Sequence, residues 1–225
     1  MNEYESNNVI RELNPDSNLF VKVFMWMFMG LFATGIVSYI TYSSRFIYNI
    51  ATPGTWMIIL IVELAVAILF SFWFKKLSPF GASILFFVYA IVNGITLSTI
   101  YVIYDLSSIM LVFFATAVFF GILALIGYKT NKDLSKMGTI AMVALIVILI
   151  VSVINLFIGA TIIDLIIDWV VIAIFAGLTI YDMQKIKYIS EEIPEKAHIY
   201  GAMELYLDFI NIFLRLLNRF GRSRD

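Results

Sequence analysis

The chain reads as an all-α, polytopic membrane protein with seven transmembrane helices, the seventh central and wrapped by the other six. Three observations predict this. Of 225 residues, 62% are hydrophobic and only 14% charged, where soluble domains average about 45–50% and about 25%. There is too little polar side-chain material to cover a water-facing surface, and the mean hydropathy is +0.96. Apolar runs of spanning length follow one another with short, turn-rich breaks. The last run differs from the rest, because polar residues recur along it at helical spacing.

Composition also excludes. A net charge of −1 gives no electrostatic basis for binding nucleic acid. The absence of cysteine removes disulfides, thiolate catalysis and cysteine metal clusters. Residues 1–18 form a polar, mildly acidic tail without a basic n-region or small-residue cleavage site, so no cleaved leader is expected. Asn14 to Asn18 reads as a capping turn before the first span.

A hydrocarbon core of about 30 Å needs roughly 20 mainly apolar residues in a helix. Six runs satisfy this, at about 19–41, 56–74, 80–104, 107–128, 137–160 and 163–181. A seventh, about 201–220, is weaker by hydropathy. The breaks "TPGT", "KKLSP" and "KTNKDLSK" carry turn residues and charge. Only Asp182 to Tyr200 reads as a longer connector. No repeat or soluble segment interrupts the pattern, so residues 1–225 form a single transmembrane domain.

Lysine sets the expected orientation. The even connectors hold Lys75 and Lys76, then Lys129, Lys132 and Lys136, then Lys185, Lys187 and Lys196. The odd ones offer only Arg45, together with Asp105, Asp164 and Asp168. The positive-inside rule puts the amino terminus and the even connectors in the cytoplasm. A full seventh span then leaves Arg219, Arg222 and Arg224 outside, against the rule, whereas a re-entrant segment would return them. A full span is the expectation. Small residues at Gly30, Thr34 and Ser38 in the first span, and at Ala173 and Gly177 in the sixth, read as helix contacts.

In "ELYLDFINIFLRLLNRFG", Glu204, Asp208, Asn211, Arg215 and Asn218 are spaced to fall along one face of a helix. Each charge near the bilayer centre costs several kcal/mol against lipid, so the stripe must face the bundle interior or a watery cavity. Glu204 and Arg215 are also placed to snorkel from the helix ends. That alternative does not suit the short Asp208 or the deeper Asn211. The sixth span ends at "TIYDMQKIK", where the seventh begins, so Asp182 and Asp208 can approach at similar depth. Two carboxylates held close in a low dielectric cannot both ionise cheaply, and such a pair titrates as a unit. A headgroup-level Asp182 beside Lys185 is the competing reading. Glu63, in the outer half of the second span, is an ionisable residue placed to line an ion path. Asn93 and Asn155 are expected to make interhelical hydrogen bonds.

"YDMQKI" at 181–186 and "AMELYLDFINIFLRLLNRFG" at 202–221 closely resemble the ending of the Bax inhibitor family, also called the transmembrane Bax inhibitor motif family. "NGITLSTIY" at 93–101 resembles its third-helix signature, Glu63 matches its second-helix acid, and the chain looks like a bacterial member. The resemblance runs from about Phe20 to Gly221. It implies six helices around a central seventh in the cytoplasmic membrane. It also implies a pH-dependent calcium leak whose sensor is the pair matching Asp182 and Asp208. The family's latch arginine near the end of the second helix is replaced by Lys75, which makes point contacts rather than a bidentate fork. Glu204 stands where a small or neutral residue is usual, an extra acid beside Asp208 that alters its titration.

The function expected is therefore a pH-sensitive calcium leak channel, gated by Asp182 and Asp208. Glu63, Glu204 and Asn211 would line the path, with Lys75 and Arg215 as latch or structural polar groups. Calcium takes hard oxygen ligands, which makes Asp182 and Asp208 its candidate ligands, although protons would use the same constellation. Beyond calcium, protons and the bilayer, no cofactor is expected. The binding-protein alternative is a non-transporting regulator of a membrane protease or other membrane proteins. An enzyme is not expected. An intramembrane aspartyl protease shares Tyr181–Asp182 but needs Gly-x-Gly-Asp where this chain has Tyr-Leu-Asp, and the last span has no lysine for a retinal Schiff base. His198, the single histidine, reads as a solvated connector residue.

Overall fold

A computed structural model describes residues 17–44, 46–50, 53–130 and 132–224. The amino-terminal tail as far as Asp16, most of the predicted Asn14–Asn18 turn, and Arg45 lie outside the described residues. Seven long helices are present: α1 (Ser17–Ser43), α2 (Pro53–Trp73), α3 (Pro79–Leu97), α4 (Leu106–Lys129), α5 (Ser135–Ile158), α6 (Thr161–Glu192) and α7 (Ala197–Phe220). Among the described residues there are also one-turn helices at Ile47–Ile50 and Ile100–Ile103 and a 3-10 turn at Phe74–Lys76.

Among the described residues, five helices are long and apolar enough to cross a membrane by length and composition: α1, α3 with its extension to Ile103, α4, α5 and α6. The 21 residues of α2 span about 31 Å at 1.5 Å per residue, the thickness of the hydrocarbon core. Charge disqualifies α7 by hydropathy alone. It is nonetheless the most enclosed helix, with Leu205, Tyr206, Phe209 and Ile212 all buried.

The central position of α7 follows from its stripe. Its direct neighbours are α6, α1, α4 and, more lightly, α3, while α2 packs on α3 and α5 on α6. Two glycines allow α6 to be gripped. A Cβ on Gly127 of α4 would come within 2.6 Å of the Ile180 carbonyl, and one on Gly138 of α5 within 2.5 Å of the Tyr181 ring. The small pair predicted for the sixth helix does not do this work: Ala173 is exposed and nothing stands within 4 Å of a Cβ on Gly177.

Both ends of α7 are fixed by contacts. At its start, the Lys196 ammonium donates to the carbonyls of Phe74, Lys75 and Leu77 at 2.8, 2.9 and 2.6 Å. These carbonyls, at and just after the end of α2, include ones that a helix terminus leaves unpaired. At its finish, Asp105 N donates to the Arg222 carbonyl (3.1 Å) and Arg224 N to that of Ile103 (2.9 Å). Hence α7, about 36 Å long for 24 residues, runs beside α3 from one face of the bundle to the other. The face with the α2–α3, α4–α5 and α6–α7 connectors is here the lysine end, and the opposite face the arginine end.

The predicted connector from Asp182 to Tyr200 is mostly helix. With no breaker after Asp182, α6 continues to Glu192 and stops before Pro194, which disfavours helical geometry in the residue preceding it. Its 32 residues make about 48 Å, enough to project beyond a bilayer of about 40–45 Å including headgroups. Gln184 fastens this projection, donating to the Lys132 carbonyl at 2.7 Å and accepting from Leu134 N at 3.0 Å. His198 is likewise not a loop residue. It lies in the first turn of α7, its ring centroid 5.7 Å from that of Trp26.

Candidate functional site

The helices α6 and α7 are antiparallel, and their polar residues share one spacing. Asp168 and Asp182 are fourteen residues apart, as are Glu204 and Asn218. Fourteen residues rise about 21 Å and return within about 40° of the same face. The two sets therefore meet at both ends of the interface with an apolar stretch between them.

At the lysine end, Asp182 and Asp208 are each 3% exposed. Asp182, Glu204 and Lys185 all stand close enough to Asp208 to act on it electrostatically, and Thr179 lies beside it. Among the described residues no hydrogen bond joins the two aspartates, and Asp208 Oδ2 is buried without a hydrogen-bond partner. The cation here is Lys185, its Nζ 3.3 Å from Glu204 Oε1 and 3.9 Å from Asp182 Oδ1. It also lies 5.1 Å over the Tyr200 ring. Glu204 and Asp182 thus share one ammonium, with Asp208 nearby. The competing sequence reading of Asp182 as a headgroup-level carboxylate does not describe this burial.

Lys75 is elsewhere. Its Nζ pairs with Glu192 at 2.6 Å, both side chains more than half exposed, and Lys185 occupies the place beside the aspartates that the family pattern gave to a residue of the second helix. The reason is length: because α6 runs past Asp182, its own lysine, one turn on, faces α7 with it.

At the arginine end, Asp168 is 1% exposed and takes three partners from α7. Arg215 Nη1 donates to Oδ1 at 2.9 Å, Asn218 Nδ2 to Oδ2 at 2.7 Å, and Arg219 Nε stands 2.7 Å from Oδ2. Sequence reading placed Asp168 among connector acids and missed this cluster. The available signal was the fourteen-residue spacing to Asp182. Asn211, between the ends, donates to the Leu207 carbonyl of its own helix at 2.8 Å.

Glu63 belongs to a third polar group, between α2, α3, α1 and α7. Its carboxylate accepts from Asn93 Nδ2, from Thr96 Oγ1 at 2.8 Å and from the Tyr89 hydroxyl at 3.4 Å. Asn93 Oδ1 in turn accepts from the Tyr206 hydroxyl at 3.0 Å, which lies 2.7 Å from Thr34 Oγ1. The interhelical role expected of Asn93 is present. Asn155 bonds Asp164 at 2.6 Å across the α5–α6 turn, a turn closed by Gly159 at φ 67°.

Carboxylates predominate in this cluster, and carboxylate oxygens are groups that can hold protons or hard cations. Among the described residues there is no group of three or more acidic, histidine or cysteine side chains arranged to hold a metal.

Comparison with known proteins agrees with the fold. The family model described as "Inhibitor of apoptosis-promoting Bax1" matches residues 17–225. The inner membrane protein YbhL of Escherichia coli (strain K12) is 34% identical over 228 residues, covering 97% of each chain. An uncharacterized protein of Rickettsia prowazekii (strain Madrid E) is 37% identical over 211 residues, 91% of this chain and 89% of that one. An uncharacterized membrane protein of Streptococcus pyogenes serotype M3 is 32% identical over 215 residues, 92% of this chain and 93% of that one.

Proposed function

The chain belongs to the Bax inhibitor family, and from that premise we propose that it is a pH-sensitive calcium leak channel of a bacterial inner membrane, gated where α6 meets α7. The supporting observation is the burial of Asp182 and Asp208 at that interface beside Glu204, with Lys185 the one cation among them. Carboxylates in a low dielectric resist simultaneous ionisation, and close ones titrate jointly. On this reading, rising pH removes the proton the cluster retains, like charges repel at short range, and α6 and α7 part at the lysine end. Carboxylate oxygens then line the opening and suit a hard divalent cation. The protein does this without bond-making chemistry, and the cytoplasm lies at the lysine end.

The test is calcium flux into liposomes holding the purified protein, across a pH series, for wild type and Asp208→Asn. The asparagine can still hydrogen-bond but cannot titrate, so flux should lose most of its pH dependence. A wild-type pH profile for the variant would refute the gate. No calcium flux by the wild-type protein at any pH would refute the channel.

A further inference from the structure

A different part of the molecule, at the arginine end, has the form of a lipid site. Tyr42, Ser43, Tyr48 and Arg224, with Ile47 and Val102, line a half-polar cavity of about 440 Å³. Arg224 is held at its mouth. Its Nη1 donates to the Tyr42 hydroxyl and to the Tyr101 carbonyl (3.0 Å), and its backbone N–H is bonded to Ile103. One helical turn further into the bundle lies a second cavity, of about 480 Å³, lined by α1, α4 and the α3–α4 junction, with Ile210 and Phe213 of α7 at its back. The Tyr42 and Tyr101 rings, stacked at 5.4 Å, stand between the two.

The second cavity faces the bilayer. Its flanking helices α1 and α4 make no extended contact with each other, and Phe32, Met110 and Phe114 stand exposed at its rim. Its lining is almost wholly apolar. The depth also fits. From Tyr42 to Leu31 is eleven residues of α1, about 16 Å, which is half of a hydrocarbon core of about 30 Å and so one leaflet.

We propose that this pair of cavities binds one anionic phospholipid. Its phosphate sits against the Arg224 guanidinium and the hydroxyls of Tyr42, Ser43 and Tyr48, and one acyl chain fills the slot between α1 and α4 against α7. The guanidinium selects an anion and the slot selects an extended apolar chain. Neither cavity includes the aspartate cluster, so the site is independent of the gating mechanism.

Native mass spectrometry of the purified full chain, given equal phosphatidylglycerol and phosphatidylcholine with identical acyl chains, tests the assignment. One phosphatidylglycerol should remain after looser lipids are stripped. Arg224→Gln should lower the preference for phosphatidylglycerol about fivefold, the contribution of one basic side chain toward a lipid of net negative charge, since phosphatidylcholine carries the same phosphate but a compensating ammonium. Gly35→Leu should abolish retention of either lipid. Gly35 lines the slot and a Cβ there meets nothing within 4 Å, so there is room at the root of the new side chain; a lipid-free melting temperature no lower than wild type checks that the variant is folded. Equal retention of both lipids by wild type, or wild-type retention by both variants, would overturn the site.

Discussion

Asp168 on α6 and Arg215 on α7 form a hydrogen-bonded ion pair of 2.9 Å, at the end of the interface opposite Asp182 and Asp208. The interface is therefore closed by charge at both ends, with acids in excess at one and arginines in excess at the other. Removing a single partner from either end has a definite expected consequence.

Asp168→Asn leaves Arg215 and Arg219 without their shared carboxylate. Truncating one member of a buried charge pair costs about 2–5 kcal/mol. The loss should fall near 2 kcal/mol, because Arg215 is 38% exposed and water recovers part of its solvation. Thermal unfolding of the detergent-purified variant measures it, and a wild-type melting temperature would mean that the cluster contributes nothing.

Lys196→Met removes the ammonium, strands the carbonyls of Lys75 and Leu77 and leaves that of Phe74 only its bond from Leu77 N. Hydrogen bonds to a charged group contribute about 1.5–3 kcal/mol each, and water can replace some of them at the membrane surface. A loss of about 2–3 kcal/mol in the same unfolding measurement is expected. Lys196→Arg should recover part of it, since a guanidinium still donates.

The two lysines near the lysine end should behave differently. Lys75→Gln breaks only an exposed pair with Glu192, a kind worth about 0–1 kcal/mol, and should leave calcium flux unchanged at every pH. Lys185→Gln withdraws the cation that stands among the carboxylates of Asp182, Glu204 and Asp208 and favours their charged forms, so the midpoint of the flux titration should move to higher pH. Equal profiles for the two variants would remove Lys185 from the gate.

The native chain has no cysteine, so single introduced thiols report topology cleanly. Ser135 begins α5 at the lysine end, and Ser223 bridges Tyr104 at the arginine end. An impermeant thiol reagent applied to intact cells should label Ser223→Cys and spare Ser135→Cys. Labelling of both or neither would contradict a full crossing by α7, and the reverse pattern would invert the orientation.

Much of this molecule was legible in its sequence, because lipid imposes a nearly local rule. Each backbone segment must satisfy itself as a helix of bilayer length, so some apolar runs match helices to within a few residues, as 107–128 does Leu106–Lys129 and 137–160 does Ser135–Ile158, while α6 runs on to Glu192, well past the predicted 181. Periodicity alone placed Glu204, Asp208, Asn211, Arg215 and Asn218 on one face; the structure buries Asp208, half-buries Glu204, Asn211 and Arg215, and leaves Asn218 exposed. The partners of those residues were not so determined. Whether Lys75 or Lys185 meets the aspartates depends on how far α6 continues beyond the membrane, and hydropathy falls silent once a helix leaves lipid. That Asp168 belongs with Arg215 and Arg219 depends on the register of two antiparallel helices. So does the clamping of α2 by Lys196, which needs the start of α7 beside the Phe74 turn. Side-chain reach is a few ångströms, and the relative sliding and rotation of helices that decide it are fixed by packing, at Gly127 and Gly138 among other places, rather than by any run of residues within one helix.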